Sequence, residues 1–359
     1  MFDYEKRTAL LRAELRKRKL DAFITSFLPH VRYLTGYSGS NGLCVITDSA
    51  VTLLTDFRYQ EQIETEVPYA SKQIVRGDLF VAAIKKKNLF SQSDTIAFEE
   101  DYLPVISFQV MKKNLSGARL IPSNGIVEAL TAVKEESEIA LIRKAASITE
   151  QVFEKILGVL KPGITESAIA AEISYLHRMF GAEKDSFDTI VASGVRGSLP
   201  HGAASAKKIQ KGEMVTLDFG CVYQGYCSDL TRTVAVGTPS SEAKKIYRIV
   251  LDAQRAAINA ARIGFPARKL DESARSFIEK KGYGKFFGHG LGHGIGLQIH
   301  ESPRVFAKST HVLHTGNVIT IEPGIYLPGK CGVRIEDDVV IRDGTCEVIT
   351  SSPKELIVL

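Results

Sequence analysis

No apolar run in the chain approaches the roughly 20 residues that a membrane-spanning helix requires, which argues against a transmembrane segment. Cysteine is sparse: five residues, odd in number and scattered, with no CxxC pair. That pattern fits reduced thiols in a cytoplasmic setting better than a disulfide framework or a zinc knuckle, and implies that any metal is not held by sulfur. No HExxH is present, which excludes a zincin. The net charge of +5 is modest and comes without a basic–aromatic stripe, so nucleic acid is not an expected partner. Residues 1–20 lack the apolar centre of a secretory leader and read instead as an amphipathic surface helix.

What remains is a folded globular chain, 44% hydrophobic and 24% charged, whose 359 residues call for two domains. Residues 1–125 alternate β-rich runs (DAFITS, GLCVIT, AVTLLT, DTIAFE, ARLIP) with helix-like stretches at 57–66, 78–87 and 104–114, as in a small α/β domain. IPSNG at 121–125 punctuates the chain and sets the second domain at 126–359. There a long amphipathic helix stops at Lys161-Pro162-Gly163 and a second runs from near Thr165 to Gly181. A strand at 187–193 and a β-rich block at 213–236 follow. Helices at 240–263 and 267–282 then precede another β-rich block at 317–348. Two helices then strands, twice over, predict an internally doubled α+β domain.

The doubling extends to single residues. VTLDFGCVY (215–223) aligns without a gap on ITIEPGIYL (319–327), matching Asp218 to Glu322. Strand alternation puts Thr216 with Asp218 on one face and Thr320 with Glu322 on the equivalent face. Asp229 follows Asp218 by eleven residues and Glu336 follows Glu322 by fourteen, so each half offers two strands carrying one carboxylate apiece. A single acid in an apolar strand is ordinarily edge-facing or ion-paired. Four at matching places predict a bound cation cluster, because unpartnered buried acids cost several kcal/mol each or protonate. Four carboxylates exceed the needs of one ion. Oxygen ligands with an imidazole suit Mn²⁺, Co²⁺ or Fe²⁺ better than a structural zinc. Two such ions about 3.5–4 Å apart activate a shared water and polarise a carbonyl, so the expected chemistry is metal-assisted hydrolysis. The imidazole has several candidates: GHGLGHGIGLQIHE (288–301) holds His289, His293 and His300 on a backbone with five glycines in fourteen positions.

LDFGCVYQGYCSDLTRT, GHGLGHGIGLQIHE, ITIEPGIY and GVRIEDD, in this order, resemble the signature of the pita-bread metallopeptidases, which include methionine aminopeptidase, aminopeptidase P and prolidase. VRYLTGYSGSNG and LLTDFRY resemble the N-terminal domain of the last two, which simple methionine aminopeptidases lack. The resemblance implies a pita-bread second domain with two divalent ions, Mn²⁺ first and Co²⁺, Fe²⁺ or Zn²⁺ behind it. Its ligands would be Asp218, Asp229, His293, Glu322 and Glu336, with Asp229 and Glu336 bridging and Glu322 also acting as general base. His201 (in SGVRGSLPHGAAS) and His300 would face the substrate, His289 would line the pocket, and Tyr326 and Arg334 would support the ligand strands.

It also implies hydrolysis of the bond before proline, a tertiary amide that ordinary peptidases handle poorly. Aminopeptidase P activity, on peptides of any length with proline second, is the first expectation, with prolidase activity on Xaa-Pro dipeptides as the alternative. Arg304, four residues after His300, is placed to clamp a dipeptide's carboxylate. Methionine aminopeptidase ranks lower because of the N-terminal domain, and a non-catalytic pita-bread binding module because all five ligand positions are kept. A homodimer is the expected state, with PHVRYLTG around His30 as the segment that helps close the pocket.

Overall fold

β-branched and aromatic side chains dominate Ala22–Thr25, Leu43–Thr47, Val51–Asp56 and Thr95–Glu99, residues that fit a pleated, covered surface. In the computed structural model, which describes residues 2–86, 89–90 and 94–359, these strands and Arg119–Ser123 lie in one six-stranded sheet. Leu43–Thr47 runs antiparallel to both its neighbours and the remaining pairings are parallel. The sixth strand, Ser71–Val75, was not expected from the sequence. It is an edge strand with little apolar signal, and none of its residues is fully buried.

Helices Tyr4–Lys17, Leu79–Lys85 and Val105–Asn114 follow the expected positions, although residue 87, at the end of the stretch read as 78–87, lies outside the described residues. The stretch 57–66 divides into a 3₁₀ turn, Phe57–Tyr59, and a short helix, Gln62–Glu66. PHVRYLTG (29–36) is helical as far as Thr35. Leu28–Thr35 is a helix, with Pro29 in its first turn and Gly36 ending it at φ 87°, and it buries His30, Val31 and Leu34. His30 is 1% exposed, so its ring is turned into its own unit.

The chain divides into two compact units, Met1–Thr131 and Ala132–Leu359, and helix Ile126–Thr131 falls in the first. The first is an α/β unit and the second an α+β unit with an internal two-fold pseudo-repeat. Among the described residues no helix is long and apolar enough to cross a membrane.

In the second unit, helices Glu136–Leu157 and Glu166–Met179 precede the first set of strands. Helices Ser241–Ala260 and Ala267–Lys280 precede the second set. Glu213–Phe219 is the centre of an antiparallel sheet between Leu230–Val236 and Ile190–Ser193. Val318–Ile321 lies between Gly292–Gly294 and Asp337–Arg342 in the five-stranded sheet of the other half. The halves join where Leu230–Val236 meets residues 334–338. Glu336 donates its N–H to Thr231 O at 3.1 Å, and Thr233 Oγ1 donates to Arg334 O at 2.9 Å. The buried Arg232 guanidinium reaches the Glu336 carbonyl and binds Asp337 Oδ1 at 2.8 Å, tying the same seam with charge.

Candidate metal centre

Only Asp218 of the four acids lies inside a strand. Asp229 falls between Tyr226–Cys227 and Leu230–Val236, Glu322 just after Val318–Ile321, and Glu336 between Cys331–Arg334 and Asp337–Arg342. This corrects the expectation of one carboxylate inside each strand. The breaks free the side chains from strict alternation, while the backbone N–H groups remain satisfied. Asp229 N donates to Asp338 Oδ2 at 3.0 Å and Glu322 N to Leu291 O at 2.8 Å.

His293 sits in strand Gly292–Gly294, and the flanking glycines are a steric necessity. A Cβ on Gly292 would lie 2.1 Å from Thr320 O, and one on Gly294 would lie 2.2 Å from Ser302 O. His293 Nδ1 donates to Gly294 O at 3.1 Å, because a carbonyl can only accept. Nε2 therefore carries the lone pair, and it faces Asp229 Oδ2 at 3.7 Å and Glu322 Oε1 at 3.5 Å. Burial, reinforced by His300 and Arg304, pushes the His293 pKa down to about 3, so the ring is neutral.

All five expected ligands line one cavity of about 750 Å³, together with His201, His289, His300, Arg304 and Arg334. Asp229, His293 and Glu336 offer ligand atoms within 4.8 Å of one another. Asp229 Oδ1 is buried without a partner. Burial and mutual repulsion raise the Asp229 and Glu336 carboxyls well above their ordinary range; burial chiefly raises Glu322, to about 8. Acceptors facing acceptors, an orphaned carboxylate oxygen and carboxyls driven toward protonation are what a cation would relieve. The donor set, carboxylates and one imidazole, fits divalent transition ions.

Behind the ligands runs a polar chain. Arg334, 4% exposed, pairs with Asp218 and donates to Tyr326 Oη at 2.8 Å. Tyr326 can then donate to His289 Nε2 at 2.8 Å, while His289 Nδ1 donates to Gly290 O. Burial, then Arg334, push the His289 pKa down to about 4, consistent with a neutral ring that accepts from Tyr326. Both His289 nitrogens are thus engaged by protein. Sequence reasoning missed Thr231, whose Oγ1 donates to Glu336 Oε2 at 2.6 Å, and Asp338, which accepts from Asp229 N. No sequence signal distinguished them. Thr320 had one, its shared face with Glu322, and its Oγ1 bonds Glu322 Oε1 at 3.2 Å.

His201 and His300 are exposed at the cavity, and the His300 ring centre lies 4.4 Å from that of His293. The loop carrying His201 is anchored by Glu166, 0% exposed. Its carboxylate accepts from Ser193 N and Oγ (both 2.8 Å), Arg196 Nε (2.9 Å), and Ser205 N (3.2 Å) and Oγ (2.6 Å). Burial alone would raise its pKa, but the bonds from Ser205, Ser193 and Arg196 outweigh it and hold Glu166 below its ordinary 4.5. A depressed folded-state pKa contributes stability above the unfolded pKa that is lost as pH falls through the folded one. Glu166→Gln should therefore cost about 3 kcal/mol or more near neutrality. In paired denaturant titrations the gap to the parent should narrow below pH 4.5; a gap independent of pH would refute the assignment.

Architecture and donor set together define a metal-dependent hydrolase whose centre is assembled from two repeated halves. Residues 140–343 match metallopeptidase family M24 and residues 7–133 match the Creatinase/Prolidase N-terminal domain. A protein of Pyrococcus horikoshii named Xaa-Pro dipeptidase is 38% identical, over 95% of each chain. A solved structure described as an Xaa-Pro dipeptidase from Bacillus anthracis superposes with a TM-score of 0.96 at 42% identity, covering 99% of this chain and 100% of that one. One described as an X-Pro aminopeptidase from Thermotoga maritima gives 0.89 at 39%, covering 96% and 99%. The chain belongs to metallopeptidase family M24, and its second unit has the pita-bread fold.

Proposed function

We propose that the protein hydrolyses the peptide bond before proline and that its preferred substrates are Xaa-Pro dipeptides. The observation that carries the dipeptide reading is Arg304, an exposed guanidinium lining the same cavity as His300 and the ligand carboxylates. A guanidinium fork there suits the free carboxylate of a C-terminal proline. The names of the Pyrococcus and Bacillus relatives lean the same way, so prolidase activity moves ahead of the aminopeptidase P activity ranked first from the sequence. The Thermotoga structure's description keeps the longer-peptide reading as the second.

Asp218, Asp229, His293, Glu322 and Glu336 would hold two divalent ions, with Mn²⁺ the first choice. Bound there, such ions supply Lewis-acid polarisation of the scissile carbonyl and an acidified water. Glu322 takes the proton released by the attacking water. His201 and His300 donate to the developing oxyanion from the cavity wall. Arg334, braced by Tyr326 and His289, orients Asp218. We place the enzyme in the cytoplasm, in keeping with its five unbridged cysteines, and expect a homodimer.

The test is hydrolysis of Xaa-Pro against Xaa-Pro-Yaa-Zaa and Met-Ala peptides after chelation and return of Mn²⁺. Faster cleavage of the dipeptide supports the proposal, preference for the tetrapeptide moves the protein to the aminopeptidase reading, and cleavage of Met-Ala alone overturns both. Arg304→Ala should raise KM for the dipeptide by about 10- to 100-fold, the loss of one charge-assisted contact. KM for the tetrapeptide should change less.

A further inference from the structure

Lys134 Nζ and Glu301 Oε2 form an ion pair at 2.8 Å across 167 residues of sequence, with side chains only 1% and 3% exposed. Neither residue belongs to the metal centre or to the polar chain behind it. Two charges taken out of water are tolerated only where the geometry holds both firmly. The Lys134 N–H donates to Gly316 O at 2.9 Å. Asn317 Nδ2 donates to Ala132 O at 2.8 Å, so the segment leading to Lys134 is pinned just ahead of strand Val318–Ile321.

Glu301 opens strand Glu301–Val305, and the residue before it is His300. The Glu301 carboxylate is divided between two partners. Oε2 accepts from Lys134 Nζ, and Oε1 accepts from Gln298 N at 2.9 Å, which closes the loop that carries His300. Gly296 packs directly on the pair. A Cβ there would lie 2.7 Å from Glu301 Oε2 and 2.8 Å from Lys134 Cε. Gly296 O also accepts from Cys227 N at 2.8 Å. His300 has no such brace of its own. Among the described residues no group hydrogen-bonds its ring, which stands edge-on to His293. The backbone of residues 296–301 therefore sets where the His300 ring lies.

We propose that Lys134 is a positioning residue for His300: through Glu301 it fixes the 296–301 loop and holds the imidazole in the cavity wall. This rests on the reading of His300 as a donor to the developing oxyanion. The ammonium acts by its charge. Without it the Glu301 carboxylate is buried with no counter-charge and is driven toward water, taking the loop with it. A donor to the transition state must be placed accurately, and a shift of about 1 Å costs about 100-fold in rate.

The test is a double-mutant cycle on the full-length enzyme at saturating Mn²⁺, below the melting temperature of every variant, with the peptide that the parent cleaves fastest. Lys134→Met, similar in length and uncharged, should lower kcat by about 10- to 100-fold in the parent. In a His300→Ala background the same substitution should cost at least about fivefold less, because residues acting through one another are not additive. A pair that only stabilised the fold would lower the melting temperature and leave the two kcat losses equal. A difference below about fivefold, which includes no loss in the parent, overturns the proposal. If Lys134→Met does not fold, Glu301→Asp, which keeps both charges but cannot reach both partners, is judged by the same criterion. Failure of the dipeptide reading would show in the parent's choice of peptide, and failure of this proposal only in the cycle.

Discussion

Asp229→Asn should abolish peptidase activity and metal binding together while leaving the apoprotein folded. Asp229 is buried beside Glu336, Asp218 and Glu322, and its Oδ1 has no protein partner. An isosteric amide keeps the hydrogen bond from Asp229 N to Asp338, which is a backbone contact, and removes one of the crowded negative charges. Without metal the variant should therefore unfold at the same temperature as the parent or a higher one. With metal the order reverses. Saturation at 100 times Kd stabilises the parent by about 2.7 kcal/mol, and the variant forfeits that gain. Turnover should fall by about 10³-fold or more, because Lewis-acid stabilisation is worth several kcal/mol and about 1.4 kcal/mol is tenfold in rate. Elemental analysis, thermal melts with and without Mn²⁺, and kcat on Xaa-Pro measure the three effects. A variant that kept both its ions and its activity would remove Asp229 from the centre.

The repeated VTLDFGCVY and ITIEPGIYL segments make the pairing of Asp218 with Glu322 readable in the sequence, because a repeated fold puts equivalent residues in equivalent places. The chain breaks at Asp229, Glu322 and Glu336 were not readable. Local sequence there favours extended structure, and the ladder is interrupted by contacts made across the two halves, such as Thr231 O with Glu336 N. Arg334 illustrates the same limit: its position beside a ligand strand was evident, but its partners Asp218 and Pro200 O are 116 and 134 residues away in sequence. Helix Leu28–Thr35 had signals at both ends. Pro29 near its start and Gly36 at its end are start and stop signals visible in the sequence. In the first unit the interior strands carried strong apolar patterns, whereas the edge strand Ser71–Val75, half-exposed along its length, carried almost none.

The histidine-rich segment shows how the site's chemistry is divided by geometry. His289, His293 and His300 share a glycine-rich stretch, yet each occupies a different environment. His289 has both nitrogens bonded within the protein, His293 turns a lone pair toward carboxylates, and His300 is exposed to the cavity. Only the second arrangement suits a metal ligand, since ligation requires a neutral ring with a free nitrogen aimed at other donors.

Glu322→Gln should separate proton transfer from metal binding. Glu322 is not needed to complete the tightest group of ligand atoms. Its Oε1 accepts from Thr320 Oγ1, and Asp229, His293 and Glu336 still form a three-residue cluster without it. Glutamine preserves the shape and the bond from Thr320 but cannot take up a proton. The expected result is a fall in kcat of about 10²- to 10⁴-fold, the usual contribution of a positioned general base, with KM within a few-fold of the parent and at least one equivalent of metal retained. Asp229→Asn, by contrast, loses the metal. Loss of all metal from Glu322→Gln would make Glu322 a ligand and nothing more. A kcat within tenfold of the parent, with metal bound, would assign the base to another residue. The neighbouring His300, exposed and 4.4 Å from the His293 ring, would be the next to replace.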